Sequence, residues 1–122
     1  MLRNKELLIT NNPLVNDRLS DRIHVIFVDT DMSGVLTCVR DHIHKGHSLL
    51  THPLSGSIKP NETIYKSVLI SEERGQTDEQ SVNIIEEAVM TAQKFTQKHI
   101  PEQYLHDLQT IDFSLISGYI TG

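Results

Sequence analysis

Two short apolar runs, each stopped by a polar turn and followed by residues spaced for a helix, set what this chain can fold into. The first is Leu7-Leu-Ile-Thr10, closed by Asn11-Asn12-Pro13. The second is Ile23-His-Val-Ile-Phe-Val28, closed by Asp29-Thr30-Asp31. Short runs rich in branched side chains and bounded by turn residues read as buried strands. After the first run, Asn12 is placed to cap a short helix over 13–19. Pro13 opens that helix, where its missing N–H costs nothing. After the second, Met32, Val35, Leu36, Val39 and Ile43 recur on one helical face, and Lys45 with Gly46 supplies the stop. Alternation of this kind builds a parallel sheet covered by helices.

The remaining elements extend the pattern. His47–Thr51 reads as a third strand and Ser67–Ser71 as a fourth. Thr77-Asp-Glu-Gln80 fits a capping box at the start of a long helix. That helix carries Val82, Ile85, Val89 and Ala92 on one face, runs to about Lys98, and is barred from continuing by Pro101. The tail run Phe113–Ile120 reads as a last strand, although Gly118 counts against it. With 122 residues and 38% hydrophobic side chains, the expectation is a single domain over 1–122. The predicted fold is a Rossmann-like three-layer α/β sandwich with a mostly parallel sheet of four to five strands. Aromatic residues make up 5% of the chain, so its core must be aliphatic.

Charge and cysteine content exclude several functions. The formal net charge is -5, and no Lys/Arg cluster is present to neutralise phosphates, which argues against nucleic-acid binding. A single cysteine, Cys38, rules out an intrachain disulfide and a Cys-rich zinc site. No segment approaches the roughly 20 apolar residues of a membrane helix, and the first residues hold too short an apolar run for a signal peptide. The expectation is an intracellular protein that does not meet a membrane.

The stretch from Thr51 to Ser67, THPLSGSIKPNETIYKS, stands apart. It has no helical period and is long for a connection in a compact domain, which marks it as a candidate functional loop. Pro53 and Pro60 stiffen it, and Gly56 lets backbone amides approach a bound group. Ser55, Ser57, Lys59 and Lys66 offer hydroxyls and charge suited to a small carboxylate, phosphate or sulfate. In a parallel sheet, ligands sit beyond the strand ends. That edge would bring Asn11, Asn12 and His52 beside the loop as further ligand-binding candidates. The plainer reading is that the loop packs over the sheet and satisfies its own backbone.

Other signals are weaker. Neither GxxxxGK[ST] nor GxGxxG occurs, and Ser55 and Ser57 lack the GxSxG context of a hydrolase nucleophile. His42, His44, His47 and His52 are close in sequence. However, a pair two apart on a helix diverges by about 200°, which disfavours a shared metal site. Cys38 lies among apolar helix positions with nothing nearby to activate it. Asp29 and Asp31 are explained most simply by capping of the next helix.

Two segments carry a resemblance. Leu8-Ile-Thr-Asn-Asn-Pro-Leu-Val15 and the run HKGHSLLTHPLSGSIKPNETIYKSVLIS from His44 to Ser71 resemble the GrdX family. These are small proteins encoded with the glycine, sarcosine and betaine reductase systems of amino-acid-fermenting anaerobic bacteria. The resemblance implies a cytoplasmic accessory protein, with the glycine reductase components as candidate partners. It carries over no catalytic residue and no cofactor. Three functional readings follow. One is a non-enzymatic module that binds a small anion or a protein partner through the 51–67 loop. Another is a small enzyme acting on a carboxylate- or phosphate-bearing metabolite, with His52 as acid/base and Lys59 or Lys66 as a charge clamp. The third is a structural scaffold whose loop mediates self-association into a homodimer, with Phe113, Leu115, Ile116 and Tyr119 of the apolar tail available to serve.

Overall fold

β1 (Glu6–Thr10) is the middle strand of the sheet, and every residue from Leu7 to Thr10 is buried. The computed structural model describes residues 6–54, 63–95 and 98–120. α1 (Pro13–Leu19) follows, then β2 (His24–Phe27) and α2 (Met32–His44). β3 (Ser67–Ser71), α3 (Glu79–Gln93), a 3-10 turn at Glu102–Tyr104 and α4 (Leu105–Ser117) complete the order.

The sheet has three strands in the order β2-β1-β3. β2 runs parallel to β1, with Leu8 beside Val25 and Ile9 beside Ile26. β3 runs antiparallel to β1, with Leu8 opposite Leu69 and Thr10 opposite Ser67. This corrects the expected Rossmann-like sandwich, because the sheet is small and mixed and, among the described residues, has three strands.

Two segments explain the difference. His47–Thr51 lies along β3 but makes only one bridge, Leu49 to Ile70. Side chains take bonds that a ladder would use: the Leu49 N–H donates to Ser81 Oγ at 3.0 Å, and the Leu69 N–H donates to Thr51 Oγ1 at 3.0 Å. The tail 113–120, expected as a strand, belongs mostly to α4. The buried positions Asp112, Ile116 and Ile120, along α4 and the turn after it, are four apart, which is a helical spacing.

Side-chain alternation along the strands divides the core. Leu7, Ile9, Val68 and Ile70 face α2 and α3, where they meet Val35, Leu36, Val39, Ile85 and Val89. Leu8 and Leu69 face the other way, toward Val15 and Leu19 of α1 and Ile116 of α4. The helix starts follow from local chemistry. Asn12 Oδ1 accepts from the Leu14 N–H at 3.0 Å, and Asp31 Oδ1 accepts from the Gly34 N–H at 2.9 Å. Asp78, rather than Thr77, caps α3, since its Oδ2 accepts from both the N–H and the hydroxyl of Ser81. α3 ends at Gln93, short of the expected Lys98. Gly46 sits at φ 110, and a Cβ there would run into the Gly75 carbonyl. Only glycine fits the turn that stops α2.

Candidate functional site

Thr10 and Asn12 alternate onto the same side of β1 as Leu8, yet the apolar surface stops there. At this end of the sheet, the face toward α4 is lined by Thr10, Asn12, Ser67 and Asp112, all at least nine-tenths buried. A buried polar group costs free energy unless it is bonded, and these groups bond one another in sequence. The Asn12 N–H donates to Thr10 Oγ1 at 2.9 Å. Thr10 Oγ1 and Ser67 Oγ are 2.7 Å apart, and Ser67 Oγ donates to Asp112 Oδ2 at 2.7 Å. The single Ser67 hydroxyl proton is used toward Asp112, so Thr10 donates to Ser67. The Asn12 side-chain amide donates to the same Asp112 Oδ2 at 3.0 Å and to the Gln109 carbonyl at 2.9 Å. Asn12 therefore does two jobs: its oxygen caps α1 and its nitrogen ties β1 to α4.

Asn11 holds the neighbouring loops. Its amide nitrogen donates to the Thr30 carbonyl at 2.7 Å and to the Ile64 carbonyl at 2.5 Å. Its oxygen accepts from the Lys66 N–H at 2.8 Å. One side chain thus joins the end of β1, the turn after β2 and the returning limb of the long loop. Tyr65, on that limb, is buried and accepts from Gln109 Nε2 at 2.9 Å. The return limb is fastened to the strand ends and to α4.

Lys66 lies at the foot of this limb and is 7% exposed. Burial pulls its pKa below the ordinary lysine value, and the nearby Asp112 carboxylate partly opposes that pull. A buried lysine that feels a buried carboxylate sets this position apart among the described residues.

The structure brings together Asn11, Asn12 and Lys66 from the predicted set. Ser55, Gly56, Ser57 and Lys59 lie outside the described residues. His52 is placed apart from the polar layer. Its Nδ1 accepts from the Leu54 N–H at 3.1 Å, so in the neutral ring Nε2 carries the proton. It opens on a groove of about 230 Å³, lined also by Thr51, Gln80 and Ser81 at the start of α3.

Thr10, Ser67, Gln109 and Asp112 were missed by sequence reasoning. The signal for Asp112 was available: it is the single charge between Leu108 and Ile120, and it falls on the inner stripe once the tail is read as a helix.

The other candidates take structural roles. His42 and His47 are in ring contact, at 5.3 Å between centroids. Each donates from Nδ1 to a carbonyl, that of Cys38 at 2.9 Å and that of Ser71 at 2.7 Å. Among the described residues, no group of three or more His, Cys, Asp or Glu side chains is arranged to hold a metal ion. Burial raises the Cys38 thiol pKa. Asp41 adds to the rise and Lys45 opposes it, so the reactive thiolate is disfavoured. Among the described residues no helix is long and apolar enough to cross a membrane.

The family model described as "GrdX-like protein" matches residues 7–121, nearly the whole chain. No curated protein and no solved structure matches it.

Proposed function

The chain belongs to the GrdX-like protein family, and from that premise we propose that it is a non-enzymatic accessory protein of glycine-reductase-type amino-acid fermentation. It binds a small anion, carboxylate or phosphate, at the foot of the 51–67 loop. The observation that carries this reading is Lys66. The residue is buried at the point where the loop returns to the sheet, within electrostatic reach of Asp112. An anion placed there gains a charge-assisted partner in a region of low dielectric, where such a bond is stronger than at the surface. Asn11 and Asn12 hold the strand end and the loop limb in position, since their side-chain amides are engaged within the chain.

A thermal-shift screen tests the proposal. The probes are acetate, glycine, sarcosine, betaine, phosphate and acetyl phosphate, added in millimolar excess. A ligand of the folded state raises the midpoint by mass action. The expected result is a rise with at least one anion that is lost in a Lys59→Ala, Lys66→Met variant. No rise with any probe would move the proposal to its protein-partner form, tested by pull-down with the reductase components.

The groove at His52 supports a second reading, an enzyme of carboxylate- or phosphate-bearing metabolites with His52 as acid/base. His52→Ala separates the two. It abolishes turnover in the enzyme reading and leaves anion binding at Lys66 unchanged in the first.

A further inference from the structure

The outer face of α4 has the composition of an interface. Ile111, Leu115 and Tyr119 are 41%, 44% and 53% exposed. Four-residue spacing lines them up as one ridge that runs along the helix and into the turn after it. Beside this ridge lie Thr110, Ser114 and Gly118, also four apart and also exposed, but small. The Thr110 hydroxyl is already bonded within the helix, to the His106 carbonyl at 3.0 Å. From Leu108 to Ile120 the single charged residue is Asp112, and it is turned inward. A helix face that meets water ordinarily carries charge, as α3 does with Glu79 and Glu87. Depletion of charge around apolar residues marks the centre of protein interfaces.

We infer that this face docks against the same face of a second copy of the chain. A ridge of large residues beside a furrow of small ones is complementary to itself. Under a two-fold rotation near Ser114 and Leu115, each ridge enters the partner's furrow, as an isologous interface requires. Rows of i, i+4 residues on both helices give a crossing angle near -50°. Apart from Asp107, exposed in the first turn of α4 four residues before Ile111, the face is uncharged and offers no electrostatic selection for a charged partner, and the net charge of -5 opposes an anionic lipid surface. With 13 residues, α4 is about 20 Å long. A single pair of such helices buries less than the roughly 1,200–2,000 Å² typical of stable complexes. The dimer is therefore reversible and concentration-dependent. It also has a consequence for the polar layer, because the inner face of the same helix supplies Asp112 and Gln109. The second copy braces the helix that closes the candidate site.

Sedimentation over a series from about 5 to 500 μM, spanning affinities near the micromolar range, tests this. The weight-average mass should rise from 13.9 kDa toward twice that value. Leu115→Glu should stay monomeric at the same concentrations, with unchanged circular dichroism and the melting midpoint of the dilute, monomeric wild type, because the site is exposed. A wild-type chain that stays monomeric throughout would overturn the inference, as would a Leu115→Glu variant that dimerises equally well. A second arm uses oxidation in a Cys38→Ser background. Ser114→Cys should cross-link into a covalent dimer, whereas Glu87→Cys on α3 should not. Equal cross-linking by both, or by neither, also counts against the α4 interface.

Discussion

The two faces of the sheet are made from alternate residues of the same strands, yet they are built differently. Toward α2 and α3 the strand side chains are aliphatic: Leu7, Ile9, Val68 and Ile70 meet Val35, Leu36 and Ile85, and the buried Ser81 hydroxyl at the start of α3 is bonded to Asp78 and to the Leu49 N–H. Toward α1 and α4 Leu8, Leu69 and the half-buried Val25 have that character. The next positions, Thr10 and Ser67, hand over to Asn12 and Asp112. A chain selected for stability alone gains little from such a layer, because fully bonded buried polar groups roughly offset their own desolvation. The dry face accounts for the fold. The wet end of the other face is where the loop, the buried lysine and α4 converge.

Substitutions can break or sharpen that comparison. The largest loss belongs to the dry face. Ile70→Ala removes a fully buried side chain and should cost about 4 kcal/mol in urea unfolding, with no effect on any anion-induced shift. Asp112→Ala follows at about 3 kcal/mol, since it leaves Ser67 and Asn12 without their shared acceptor. Asp112→Asn, which keeps an oxygen there, should recover a good part of the loss. If Asp112→Ala proves neutral, the polar layer is not the connected unit described above. Asn12→Ala should cost about 2 kcal/mol by removing the α1 cap and the link to α4 together.

Lys66→Met comes next and carries a pH signature. The folded pKa of Lys66 is lowered, chiefly by burial. Between that value and the ordinary lysine value the unfolded chain binds more protons, so wild-type stability rises with pH across the window. Below the window the buried charge is a penalty, and Asp112 retains two donors without it. Lys66→Met should therefore fall within about 1 kcal/mol of wild type at neutral pH. Wild type should gain on the variant as pH rises through the window, measured by urea titration at several pH values. The smallest effect is Glu86→Ala. It removes a half-exposed pair with His44 and should cost no more than about 0.5 kcal/mol.

Much of the fold was legible because local chemistry and tertiary packing agree. Asn12-Pro13 marks the start of α1, and Ser67–Ser71 is the strand its branched residues predict. The reading failed where two periods fit one sequence. Phe113-Ser-Leu-Ile-Ser alternates like a strand, but Asp112, Ile116 and Ile120 belong to a helical stripe that only α1 and β3 can cover. It also failed at 47–51, where the hydroxyls of Thr51, Ser71 and Ser81 take backbone donors from partners distant in sequence. That exchange cannot be seen in hydrophobic pattern. Asn11, Asn12 and Lys66 were legible as a polar cluster at a strand end. Their partner Asp112 was not, because it comes from the misread tail about 100 residues from Asn12.

The most direct test of the account compares wild type and Lys66→Met at neutral pH, each titrated with acetate and phosphate while the melting midpoint is followed. The account predicts that wild type rises with ligand concentration and that Lys66→Met, folded and of similar stability, does not respond. Equal rises in both proteins, or no rise in either, would contradict a binding site at the buried lysine.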